Sequence, residues 1–162
     1  MRVFHLLLLG LLALSAPAFA HDYQKGELFI DHPWARATPR GASVAGGFLI
    51  IENKGASADR LIGVSSEIAA RFEIHESKIE RGVATMRPLE KGLAIAPGKR
   101  VTLAPGGYHV MFMDLKRPLA PGERFKATLQ FERAGAIEVE FAVEAMGGAP
   151  AGHAAPKGHS GH

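Results

Sequence analysis

The chain has 162 residues, no cysteine and a formal net charge of +3. The charge is small and the 19 basic and 16 acidic residues are evenly mixed, which argues against a nucleic-acid-binding protein. Without cysteine, the chain has no disulfide framework and no thiolate metal site.

Residues 1–20 have the pattern of a secretory signal peptide. Arg2 precedes an apolar run at 6–14, and residues 18–20 supply the small-x-small sequence that signal peptidase cleaves after. The apolar run is shorter than the ~20 residues that a membrane-spanning helix needs, and no later apolar segment is longer. We therefore expect an exported, periplasmic protein that begins at His21, with no membrane span in its mature form. The lack of cysteine also predicts no lipid anchor at the cleavage site.

Residues 21–146 are predicted to form a single β domain. Short runs rich in β-branched and aromatic residues alternate with turns that contain Gly or Pro, and no long helix is expected. In the last run, apolar residues alternate with Glu138, Glu140 and Ala142, which is the period of a strand with one face on the core. This pattern predicts an all-β sandwich or Greek-key barrel. The predicted strands are 48–51, 72–79, 101–103, 108–115, 125–131 and 137–143.

Two imidazoles and two thioethers in this domain form a candidate metal-binding set. They are soft, neutral donors, which favour Cu(I) over the hard ions that prefer carboxylate and carbonyl oxygen. His109 and Met111 are two residues apart in a predicted strand, so their side chains project to the same face, as does that of Met113. Taken alone, a methionine in a strand more often packs in the core than binds a metal, and a single histidine more often makes a hydrogen bond. The predicted copper ligands are His75, Met86, His109 and Met111.

The turn at Arg81-Gly82 determines whether the side chains of His75 and Met86 can meet. If these two residues form the whole loop of a hairpin, Ser77 lies opposite Met86. Met86 is then the diagonal neighbour of His75 on the same face, at ~7–8 Å between backbones and within reach of a methionine side chain. A three-residue loop would place the two side chains on opposite faces.

Other residues are assigned more peripheral roles. Met113 is expected to be a packing residue and a reserve copper ligand, Met146 a packing residue, and Trp34 a core residue rather than a neighbour of the site. Residues 147–162 contain too little large apolar surface to offset the entropy of ordering, which predicts a disordered tail. Its histidines are expected to capture metal, although a solvated tail with incidental histidines is the alternative. These histidines are His153, His159 and His162.

Residues 23–146 resemble the PCuAC family of periplasmic copper chaperones. That family has a His, a Met and a His-x-Met pair in the same order and at nearly the same intervals as the four candidate ligands. Residues 32–39, HPWARATP, and 108–119, YHVMFMDLKRPL, also look like segments that flank the family's motif.

The resemblance implies a cupredoxin-like Greek-key β-barrel that is not an enzyme and that carries Cu(I) to the copper centre of cytochrome c oxidase. The implied partners are the copper-bearing subunit of the oxidase and a thioredoxin-like copper chaperone. It implies the same four residues as Cu(I) ligands. The tail resembles a C-terminal extension that some family members use for Cu(II), but without that extension's methionines.

Three alternative functions are compatible with the sequence. A periplasmic copper storage or resistance protein could use the same site. A copper oxygenase could use the amine and imidazole of an N-terminal His21 to bind Cu(II); otherwise His21 is an auxiliary ligand or a chance residue. An exported β-sandwich that binds other proteins and no metal is the third. A blue-copper electron carrier is excluded, because its metal requires a cysteine thiolate.

Overall fold

The structure, a computed structural model, describes residues 22–147. Every regular element in this range is a β-strand, which confirms the all-β prediction. Among these residues there is no helix long and apolar enough to cross a membrane. The strands are β1 (Tyr23–Lys25), β2 (Leu28–Arg36), β3 (Val44–Asn53), β4 (Asp59–Ser65), β5 (Ala69–Glu80), β6 (Val83–Pro88), β7 (Leu93–Ile95), β8 (Arg100–Leu103), β9 (Tyr108–Leu115), β10 (Arg124–Phe131) and β11 (Gly135–Glu144).

These strands form one sheet that folds back on itself. Their hydrogen-bonded order is β6-β5-β9-β8-β3-β2-β11-β10-β4-β7, with β1 beside β2 and β9 also paired directly with β3. Contacts between β4 and β5, which are far apart in this order, bring the two halves of the sheet together. Most neighbours in the sheet are not consecutive in the chain, as in Greek-key folds. No pairing in the described range joins β6 to β7, so the barrel is open there.

The core consists of the inward-facing residues of both halves. The predicted alternation in β11 is confirmed, with Val139 and Phe141 buried and Glu138 exposed. Phe112 of β9 lies at the centre, with its ring 5.4–5.8 Å from those of Phe72, Phe125 and Phe141 in edge-to-face contacts. Val110 and Phe112 point into this core, so the alternating residues His109, Met111 and Met113 lie on the opposite face of β9.

Candidate metal site

The β5–β6 hairpin has the predicted loop and the predicted register. Arg81 and Gly82 both have positive φ angles, 52° and 79°, as a two-residue hairpin turn of type I′ requires. Ser77 pairs with Met86, and His75 pairs with Pro88. Met86 is therefore the diagonal neighbour of His75 on one face of the hairpin, as predicted.

Pairing of β5 with β9 brings the two histidines together. His75 lies directly opposite His109, and their ring centroids are 5.6 Å apart with the planes inclined at 70°. Glu73 pairs with Met111, which places Met111 diagonally across from His75. All four predicted ligands consequently share one face around the His75–His109 pair.

The imidazoles and the thioethers of this face differ in exposure. His75 and His109 are only 9% and 5% exposed. Met86 is 57% exposed and Met111 is half-buried. Met113 lies on the same face but pairs with Arg71, two pairs beyond Glu73 and Met111. The face thus has a buried imidazole floor and a more accessible thioether rim.

Hydrogen bonds orient both imidazole rings. Nδ1 of His109 donates to the backbone carbonyl of Gly107 at 3.0 Å, since a carbonyl oxygen can only accept. This leaves Nε2 of His109 with a free lone pair. Nε2 of His75 lies 2.7 Å from the Glu73 carboxylate, and Nδ1 of His75 is buried without a hydrogen-bond partner. Glu73 was not among the predicted site residues, although its spacing of two residues from His75 places both on one face of a strand.

An aromatic pair covers the histidine side of the site. Trp34 packs against Phe48 with ring centroids 4.5 Å apart, and Phe48 lies 6.4 Å from the His109 ring. The Phe48 ring lies over Gly46, where an added Cβ would come within 3.1 Å of it. Trp34 is buried, as predicted, but it packs next to the site rather than in the central core cluster.

A group of charges fixes the hairpin on its other face. The Arg87 guanidinium donates to one oxygen of Glu76 at 2.8 and 3.1 Å, and Lys78 lies 3.0 Å from the other oxygen. These contacts, that of Arg87 foremost, lower the pKa of Glu76. Because Arg87 follows Met86 directly, this contact holds β6 in the register that sets Met86 beside His75.

Several other residues singled out from the sequence lie outside the described part of the chain or at its end. His21, His153, His159 and His162 lie outside the described residues, as does most of the predicted tail. Met146 is 61% exposed, so the expectation that it packs is wrong: it follows the end of β11, where none of the strands in 22–147 covers it. Within residues 22–147, no group of three or more His, Asp or Glu side chains is arranged to hold a metal ion.

The chain is similar in sequence to proteins described as lipoproteins. Residues 28–143 match the family described as "Putative lipoprotein LpqE-like". The chain is 32% identical over 147 residues to "Putative lipoprotein Lxx21020" of Leifsonia xyli subsp. xyli, covering 88% of this chain and 87% of that protein.

Solved structures similar to this chain include copper-bound proteins. The copper-bound PCuAC domain of PmoF2 is 34% identical, with a TM-score of 0.67 over 77% of this chain and 98% of that domain. The CuI form of DR1885 from Deinococcus radiodurans is 26% identical, with a TM-score of 0.59 over 78% and 83% of the two chains. These neighbours confirm the predicted cupredoxin-like fold.

Proposed function

The chain belongs to the PCuAC family, and on that premise we propose that it is a copper chaperone, which binds Cu(I) and passes it to another protein. One observation carries the proposal: two buried imidazoles face each other at 5.6 Å, with a thioether diagonally placed on each side of His75. Two imidazoles and two thioethers suit Cu(I), and PmoF2 and DR1885 were both solved with copper. The proposed ligands are His75, Met86, His109 and Met111.

The unequal exposure of these ligands suits a carrier. A metal held only by buried groups would leave slowly, whereas Met86 at the rim can detach first and give its position to a ligand of the recipient. His75 and His109, both buried, would hold the ion until a second ligand of the recipient arrives. Thioethers carry no proton, so the release of Met86 itself requires no proton transfer.

The proposed recipient is the copper-bearing subunit of cytochrome c oxidase, with a thioredoxin-like chaperone acting alongside. The proposed location is the periplasm, after cleavage behind Ala20, with residues 21–146 as the copper-binding domain. The tail after residue 146 would capture Cu(II) through its histidines, with His21 as a further auxiliary ligand and Met113 as a reserve ligand. These assignments rest on the sequence and on the family resemblance.

A transfer experiment tests the proposal. The Cu(I)-loaded chain is mixed anaerobically with the soluble copper-bearing domain of the oxidase subunit, the two are separated, and copper is measured in each. We expect copper to move to the oxidase domain, and a chain with His75→Ala and His109→Ala to deliver little. Failure to deliver, together with loss of copper tolerance rather than oxidase activity in a deletion strain, would favour storage or resistance instead.

A further inference from the structure

Glu73 is the one acidic side chain within hydrogen-bond distance of a proposed histidine ligand among the described residues. Its carboxylate lies 2.7 Å from Nε2 of His75, on the same strand and the same face. It also pairs with Met111 across the β5–β9 ladder. The neighbouring Arg71 does not take this carboxylate as its partner, because its guanidinium contacts Asp114 at 2.7 Å. Glu73 is 38% exposed, so it stands at the edge of the site.

The contact with Glu73 determines which nitrogen of His75 has a free lone pair. A neutral imidazole carries one N–H, and an ionised carboxylate can only accept a hydrogen bond. Nε2 of His75 must therefore be the protonated nitrogen, which leaves the lone pair on Nδ1. That atom is buried and has no hydrogen-bond partner in the described residues, a state that costs free energy unless another group satisfies it.

The two histidines of the site donate hydrogen bonds from different ring nitrogens. His109 donates its Nδ1–H to Gly107 and keeps its lone pair on Nε2. His75 donates its Nε2–H to Glu73 and keeps its lone pair on Nδ1. A carboxylate or carbonyl that accepts a hydrogen bond from the one ring N–H of a metal-binding histidine fixes its tautomer and makes the other nitrogen a better donor to the metal.

We propose that Glu73 is a positioning residue that holds His75 in its Nε2–H form, so that copper binds Nδ1 of His75 and Nε2 of His109. The inference rests on the proposed function.

The direct test is to identify the copper-bound ring nitrogens. Cu(I) is diamagnetic, so the ring ¹⁵N signals of His75 and His109 can be followed before and after loading with Cu(I). The chain used is 21–162 with His153, His159 and His162 all changed to alanine, which removes the imidazoles of the tail. We expect the metal-induced shift at Nδ1 of His75 and at Nε2 of His109. A shift at Nε2 of His75 would overturn the inference, because Glu73 would then be a competitor that copper displaces.

Two variants of Glu73 and one control measure how much Glu73 contributes to Cu(I) affinity. Loss of the partner that orients a ligating histidine typically weakens metal binding by about 10–100-fold, and we expect this loss in Glu73→Ala. Glu73→Gln keeps an oxygen that accepts the Nε2–H, so it should keep Nδ1 binding and most of the affinity. Glu138→Ala is the matched control, because Glu138 is an exposed strand glutamate that contacts Lys126 far from the site. Its affinity should equal that of the parent chain.

The outcomes separate this inference from the proposed function. If the parent chain binds Cu(I) but Glu73→Ala binds it equally well, or Glu73→Gln loses as much as Glu73→Ala, the positioning role is wrong and the chaperone proposal stands. If Cu(I) perturbs neither His75 nor His109 in the parent chain, the proposed site itself is wrong. If Glu73→Ala fails to fold, the ¹⁵N assignment in the parent chain still decides.

Discussion

The close approach of β3 to β9 depends on Gly47, and the substitution Gly47→Ala tests that packing. Gly47 pairs with Val110, the residue between His109 and Met111. A Cβ added at Gly47 would come within 2.5 Å of the Phe112 ring and 3.1 Å of the Phe141 ring. Both rings are fully buried, so neither can turn away into solvent.

Two opposing effects determine how much stability Gly47→Ala should lose. Forcing a methyl group into a filled core typically costs ~1–3 kcal/mol. Replacing glycine by alanine restricts the unfolded chain, which returns ~0.4–1 kcal/mol. We therefore expect the free energy of unfolding of Gly47→Ala to fall by about 1–2 kcal/mol. Equilibrium unfolding in urea measures it, with the fluorescence of Trp34, the only tryptophan, as the signal.

Gly63→Ala is the matched control, because Gly63 also lies within a strand of this sheet. The nearest atom to its added Cβ is Cβ of Gln130 at 3.8 Å, an ordinary contact. Only the unfolded-state term applies there, so Gly63→Ala should be as stable as the parent chain or more stable by ~0.4–1 kcal/mol. Equal stability of the two variants would refute the packing argument.

Three further predictions concern the site and its hairpin. Cu(I) affinity should weaken between ~pH 8 and ~pH 5, because imidazole binds copper only when neutral; an unchanged affinity would exclude histidine ligation. Arg87→Ala should raise the pKa of Glu76 toward its usual value. The folded-state pKa of Glu76 is lowered, so the stability that Arg87 contributes should be present at ~pH 7 and vanish as the pH falls through that pKa; equal urea midpoint differences at ~pH 7 and ~pH 2 would contradict this. Met113→Leu should leave Cu(I) affinity unchanged in a chelator competition, and a loss as large as that of Met111→Leu would make Met113 a ligand.

The sequence predicted those parts of the site that depend on local rules. A two-residue turn fixes hairpin register, so Arg81-Gly82 was sufficient to pair Ser77 with Met86. The period of two in a strand was sufficient to put His109 and Met111 on one face. The direct pairing of His75 with His109 is different, because it joins two strands whose register no turn sets.

What the sequence missed depends on side-chain contacts and on irregular strands. The role of Glu73 is visible only once its carboxylate is located against His75, because many strand glutamates simply face solvent. Strand β2 was not predicted as an element, since it contains Pro33 and a bulge at His32, whose φ angle is 49°. That bulge lies between Asp31 and Trp34 in the pairing with β3, just before Trp34 pairs with Phe48. The aromatic neighbour of the site thus follows from an irregularity that periodicity does not detect.

The most direct test of the copper-chaperone account is an anaerobic titration of Cu(I) against a chromophoric chelator. It compares the parent chain with Met86→Leu and Met111→Leu, each with the three tail histidines changed to alanine. Leucine keeps the volume of methionine, and Met86 is largely exposed, so unfolding in urea should confirm that Met86→Leu remains folded. We expect tight binding of one Cu(I) by the parent chain and much weaker binding by both variants. Equal affinity in all three chains would contradict the proposed His75–Met86–His109–Met111 site.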